Sequence, residues 1–210
     1  MAGCGKKGTI GSFFTFWRGT EEEPWSREGW NEIDIEIVPS VEATPFATNI
    51  IYSGQTQSLF YVENFDPGTE WHEYQFDWTP GEIAWYIDGT EVRRDKDTAA
   101  TLDITKFANL FMNFWTPEFE PWVNGRDDSD MPWYTRYDWV EVYDWDSQSG
   151  NFNLRWRDDF DSFDQNRWLK SDDWTFEQNS STFIEQHTYV ENGNLVLKMD
   201  KAANEPATFG

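Results

Sequence analysis

Trp30-Asn31-Glu32-Ile33-Asp34-Ile35-Glu36-Ile37-Val38 is the stretch that decides the architecture of this chain. Acids and isoleucines alternate, and in a pleated strand the side chains at i, i+2 and i+4 leave from one side. Ile33, Ile35 and Ile37 are therefore expected to enter a core while Glu32, Asp34 and Glu36 share the opposite face. Any half-buried antiparallel sheet produces a polar outer face. Like charges at this spacing, however, stand roughly 6.5–7 Å apart along the strand, and they repel unless one is protonated or a ligand intervenes. A merely solvated face more often mixes signs. The three acids are thus candidate catalytic carboxylates, two outer ones with a third between them.

Short alternating runs recur outward from this strand: Gly11 to Trp17, Phe46 to Tyr52, Trp71 to Asp77, Ile83 to Ile87, Leu110 to Trp115, Tyr134 to Tyr143 and Leu195 to Met199. Helical periodicity is nearly absent, so the pattern predicts an all-β sandwich or jelly roll. Trp78-Thr79-Pro80-Gly81 predicts a turn, and Asp88-Gly89 a tight reversal into Thr90 to Arg93. The polar, aperiodic segment Asp144 to Asn153 reads as a linker loop. Too few residues follow it for an independent β core, so they are expected to fold back into one domain over 1–210, with a loose tail over 201–210.

Composition restricts the partners. A net charge of −23 and a pI near 4.2 exclude nucleic acid, anionic membrane and anionic polysaccharide, all of which need a basic footprint. Cys4 is the only cysteine, so no intrachain disulfide forms, and calcium sites suit the acid excess. Aromatic residues make up 19% of the chain, with 14 tryptophans against a mean hydropathy of −0.77, so many rings must be partly exposed. Partly wet indoles and phenols are what the face of a neutral sugar stacks on, so the expected partner is neutral carbohydrate. No run reaches the ~18 apolar residues of a membrane helix. No signal peptide precedes the domain, and the targeting segment of a secreted protein would lie outside this sequence.

The signature Glu32-Ile33-Asp34-Ile35-Glu36 resembles the Glu-x-Asp-x-Glu motif of glycoside hydrolase family sixteen. Ser12-Phe13-Phe14-Thr15-Phe16, the block from Trp71-His72-Glu73-Tyr74 to Gly89, Met112-Asn113-Phe114-Trp115 and Tyr137-Asp138-Trp139-Val140 are similar, in the same order, to blocks of the bacterial lichenases of that family. Arg157 to Trp168, Asp173-Trp174-Thr175-Phe176 and Asn192 to Leu197 resemble the segment that opens most members, here placed last, as in a circular permutation. Residues 1–143 would then be the family's C-terminal portion, 144–153 the linker and 154–200 the N-terminal portion. A family stretch that supplies one or two further strands matches neither end of this sequence, and its loss would leave an unpaired sheet edge.

The resemblance implies a concanavalin-like jelly-roll β-sandwich of two curved antiparallel sheets and a monomeric, secreted endo-glucanase acting on neutral mixed-linkage β-1,3-1,4-glucan. It implies Glu32 as nucleophile, Asp34 as the orienting acid and Glu36 as general acid/base of a retaining hydrolase. Trp30, Trp115, Trp122 and Trp174 would be stacking platforms, with Phe14, Asn49 and Asn113 lining the cleft. Ala47, Phe16 and Arg18 depart from the family's usual residues, which opens the fine substrate preference. A structural calcium ion is implied at Asp138, Asp159 and the Gly193 carbonyl. A xyloglucan-active relative and a non-catalytic carbohydrate-binding sandwich stay open as alternatives.

Overall fold

Ile33, Ile35 and Ile37 are 1%, 0% and 0% exposed, so the alternation is realised as a strand whose apolar face forms the centre of the core. The computed structural model describes residues 1–39, 46–61, 67, 68 and 70–202. Among them lie the strands β1 (Ile10–Phe16), β2 (Asn31–Ile37), β3 (Phe46–Tyr52), β4 (Gln55–Thr56), β5 (Leu59–Tyr61), β6 (Tyr74–Thr79), β7 (Glu82–Ile87) and β8 (Thr90–Lys96). A short helix, α1 (Ala99–Asp103), precedes β9 (Asn109–Trp115), β10 (Trp133–Tyr137), β11 (Val140–Asp146), β12 (Asn151–Asp158), β13 (Thr188–Glu191) and β14 (Asn194–Met199). Every strand pairing is antiparallel.

One layer is a six-stranded sheet in the order β4-β3-β2-β1-β9, with β5 also on β3. The second layer is assembled from three smaller sheets, β6-β7-β8, β10-β14-β13 and β11-β12. Ile33, Ile35, Ile37, Phe46 and Ile50 pack against Ile83, Trp85 and Ile87. Phe114 packs with Trp133, Tyr137, Val140 and Leu195. Each fully buried isoleucine contributes about 1.5–3 kcal/mol of apolar burial. The result is an all-β, jelly-roll-like sandwich with β2 in the middle of the larger sheet. Hydrogen bonds cross the core to strands that bear the acid face: Trp85 Nε1 donates to the Asp34 carbonyl at 3.1 Å, Tyr137 OH to the Ser12 carbonyl at 2.6 Å and Arg93 Nη1 to the Thr48 carbonyl at 3.1 Å.

Two expectations are corrected. Asp144 to Asn153 is not a loop: β11 and β12 form a hairpin in which Trp145 faces Phe152, ring centroids 4.9 Å apart. Asp146 makes the turn, accepting from Gln148 N at 2.9 Å and Ser149 Oγ at 2.6 Å, while Gly150 takes a positive φ of 70°. The polar residues at the turn hid an alternation that resumes at Phe152, Leu154 and Trp156. The single run Tyr134 to Tyr143 is two strands, broken at Asp138-Trp139 where the chain passes from the β10 sheet to the β11 sheet. Asp88-Gly89 is the expected reversal, with φ of 49° and 73° as a tight hairpin turn requires. Most of the loose tail expected over 201–210 falls outside the described residues.

Candidate active site

The registers of β3, β2, β1 and β9 fix the acid face as a grid. Glu32 lies opposite Phe16 on one side and Ile51 on the other; Asp34 opposite Phe14 and Asn49; Glu36 opposite Ser12 and Ala47. One strand further, Asn109, Phe111 and Asn113 continue the same three rows. Directly opposite residues share a face, so Phe14, Asn49 and Asn113 stand on the acid face. Ser12 Oγ donates to Asn113 Oδ1, which holds that amide beside the Glu36 row.

Each acid has different neighbours. Trp30 Nε1 donates to Glu32 Oε2 at 2.5 Å. Asp34 is 4% exposed, and its carboxyl hydrogen-bonds Glu32. Ser58 Oγ donates to Asn49 Oδ1 at 2.9 Å, which leaves the Asn49 amide N–H to donate to Asp34. No cation lies within ion-pair distance of the three acids among the described residues.

Burial without a counter-charge favours the neutral form. Desolvation first, then the charges of Glu32 and Glu36, pushes Asp34 well above the usual carboxylate range, so it keeps its proton and donates it to Glu32. Desolvation and the Glu32 charge push Glu36 up to about 8. Desolvation raises Glu32 as well, but hydrogen bonds from Asp34 and Trp30 oppose it. Glu32 alone has two donors aimed at it, so the one negative charge of the site is held there. The grid therefore offers one carboxylate and, four residues along the same face, one carboxylic acid.

Aromatic rings flank the acids at both ends. Beside Glu32, Phe16 touches Trp25, Trp30 and Phe111 with centroids 6.0–6.5 Å apart. Beyond Glu36, Trp115 follows Asn113 on the same face of β9. The expectation that Trp115 is a stacking platform is corrected: it is 8% exposed, with Phe176 edge-on against it at 4.9 Å. The tail folds over it, and Trp122 is half-buried against the same cluster. Trp174 is exposed and stacked on Phe183 at 5.7 Å, reaching the Trp115 cluster through Phe176 and Phe183. Sequence reading missed Asn109, Phe111 and Trp25, which belong to no motif; only the cross-strand register and the rings themselves single them out.

The calcium corner is brought together by backbone pairing, since Val140 pairs with Asp158 and Tyr137 with Leu195, which draws Asp138, Asp159 and Gly193 toward one another. Its donor set does not fit a cation as built. Arg157 donates to Asp159 Oδ1 at 2.6 Å, so a guanidinium already takes that carboxylate.

The family model of the Glycosyl hydrolases family 16 matches residues 3–158. A β-glucanase of Fibrobacter succinogenes is 31% identical over 206 residues, 94% of this chain and 58% of that protein. A β-glucanase of Bacillus subtilis is 33% identical over 135 residues, 63% of this chain and 51% of that protein. Among solved structures, a Bacillus licheniformis β-glucanase is 26% identical, with 61% of this chain and 56% of that one covered at a TM-score of 0.49. The chain spans about half the length of these relatives.

Proposed function

The chain belongs to the glycosyl hydrolases of family 16, and from that premise we propose that it is an endo-acting, retaining β-glucanase that cleaves mixed-linkage β-1,3-1,4-glucan. The observation that carries the reading is the placement of Glu32, Asp34 and Glu36 on one face of β2, with Asp34 buried between the two glutamates and Trp30 Nε1 donating to Glu32. The Glu32 carboxylate attacks the anomeric carbon while the Glu36 O–H protonates the departing glycosidic oxygen, leaving the sugar esterified to Glu32. That ester removes the charge that raised Glu36. Glu36 is then a stable carboxylate, able to take a proton from the water that attacks the same carbon and frees Glu32. Asp34 supplies its hydrogen bond to Glu32 and keeps the attacking oxygen oriented. Double displacement asks for carboxyls about 5–5.5 Å apart.

Substrate class is argued from the flanking rings and from the acid excess, which repels anionic glycans. Names of the relatives support β-glucan, and the sequence blocks shared with lichenases support the mixed-linkage polymer. We propose too that residues 154–200 are the family's opening segment in permuted position. The alignment with the Fibrobacter protein takes in 94% of the chain whereas that with the Bacillus subtilis protein takes in 63%, which supports such an arrangement. Secretion and a monomeric state belong to the same proposal, since polymeric glucan is met outside the cell; no described helix is long and apolar enough to cross a membrane.

Reducing-sugar release from barley β-glucan, lichenan, laminarin, cellulose and xyloglucan tests the reading, with Glu32→Gln alongside. Release from mixed-linkage glucan, lowered roughly 10³-fold or more by the substitution, is expected. Binding without release would favour a carbohydrate-binding sandwich, and full activity of Glu32→Gln would overturn the assignment of the nucleophile.

A further inference from the structure

Trp25 stands in the loop between β1 and β2 and is 45% exposed, although it touches two rings of the Glu32 end. It meets Trp30 at 5.7 Å with 67° between planes and Phe16 at 6.5 Å with 50°. Neither contact is stacked, so among the described residues no ring lies parallel against either face of the indole. Trp174, by contrast, has one face covered by Phe183, 16° from parallel. The residues around Trp25 are otherwise polar, with Glu21, Glu22, Glu23, Arg27 and Glu28 close in sequence, so an apolar ring of this size is not there to build core.

The loop is nonetheless built to hold it. Gly19, at φ +82°, bridges to Pro24, and a Cβ on Gly19 would fall 2.2 Å from the Trp25 nitrogen, so only glycine admits this closure. Thr20 N donates to the Glu23 carbonyl at 2.8 Å and Glu23 N to Thr20 Oγ1 at 3.0 Å. Glu23 is ion-paired to Lys106, whose Nζ sits 4.6 Å from the centre of the buried Trp17 ring. An exposed indole fixed in advance loses little freedom when a ligand covers it.

We infer that Trp25 is a sugar-stacking platform at the Glu32 end of the cleft, one ring outward from Trp30, which extends the glucan segment the site grips. The inference rests on the glucan reading above and adds to it a further binding position. Its ligand is a neutral glucosyl unit, because the nearby glutamates disfavour an anionic sugar and a pyranose face matches the open indole face.

Calorimetric titration of Glu32→Gln with mixed-linkage gluco-oligosaccharides of increasing length, with and without Trp25→Ala, tests this. Glutamine keeps an amide oxygen for the Trp30 N–H, and half-exposed Trp25 can be removed without opening a core cavity. Trp25→Ala is expected to raise Kd for the longest oligosaccharides roughly two- to tenfold and to leave the shortest unaffected. Trp25→Phe should recover most of the loss, and thermal melts of each variant check the fold. Equal Kd values with and without Trp25 at every length would overturn the platform alone. Equal weakening at every length would also overturn it, reassigning Trp25 as a support for Trp30. If Glu32→Gln binds no oligosaccharide at any length, the glucan reading itself falls and the platform with it.

Discussion

Acids on β2 and acids on the β7–β8 ribbon are handled in opposite ways. On the ribbon's strands the acids are paired with cations: Glu82 lies 2.8 Å from Lys96 and is paired to Arg94, Glu91 lies 2.6 Å from Arg94, and Asp95 lies 2.5 Å from Arg93, itself buried over the Trp85 ring. The Lys96 hydrogen bond holds Glu82 below the usual carboxylate range. On β2 three carboxyls are packed together with hydrogen-bond donors but no cation, and burial drives Asp34 and Glu36 to keep their protons. Ionised pairs on the ribbon are structural. Protons retained on β2 are available for chemistry, which is what raised carboxyl pKa values provide at a hydrolytic site.

Removing the acid that holds its proton should cost most. Glu36→Gln is expected to lower kcat on mixed-linkage glucan roughly 10²- to 10⁴-fold, measured by reducing-sugar release with the fold checked by circular dichroism. Trp30→Phe tests the donor rather than the acid. It deletes the Nε1–H at Glu32, so the Glu32 pKa rises and the acid limb of kcat/KM moves to higher pH, with a loss of about tenfold near neutrality. An unmoved acid limb would show that Trp30 does not tune Glu32.

The contrast also has a sign in pH. Glu36 ordinarily titrates at 4.5 and here at about 8, so the folded state binds its proton more tightly. The stability this gives is complete below the ordinary value and is lost as pH rises through about 8, along with activity that needs the protonated acid. Glu82, with its lowered pKa, contributes above its ordinary value and loses that contribution as pH falls. Melting temperature should therefore drop as pH rises from about 4.5 to about 8, and the drop should shrink in Glu36→Gln; the same drop in both proteins would break the comparison.

On the ribbon the effects should be small. Glu82 is an exposed-side partner of Arg94 and Lys96, so Glu82→Gln is expected to change unfolding free energy by no more than about 1 kcal/mol and to spare glucan hydrolysis. Smallest of all is the effect of calcium. Because Arg157 takes the Asp159 carboxylate, chelator or added calcium should shift the melting temperature by less than about 2 °C; a shift several times larger would mean that a cation displaces the guanidinium.

Alternation in Asn31–Ile37 and in Glu82–Ile87, and the Asp88-Gly89 reversal, were legible because strand period and turn chemistry are local properties. So were Glu32, Asp34 and Glu36 as a shared face, since the period of two requires it. The β11–β12 hairpin was not, because polar residues around Asp146 masked the facing pair Trp145 and Phe152 until the strands met. Nor was the fate of Trp115, which depends on a ring 61 positions later, Phe176, folding over it.

The sequence by itself determined an all-β chain, the set of acids and a preference for neutral partners, because periodicity, residue type and net charge are written along the chain. Only the tertiary structure decided which acid keeps its proton, which aromatic rings stay open and which side chains share the acid rows. Those outcomes depend on desolvation by β1, β3 and β9 and on donors drawn from β3 and the β1–β2 loop, and such neighbours exist only once the strands have paired.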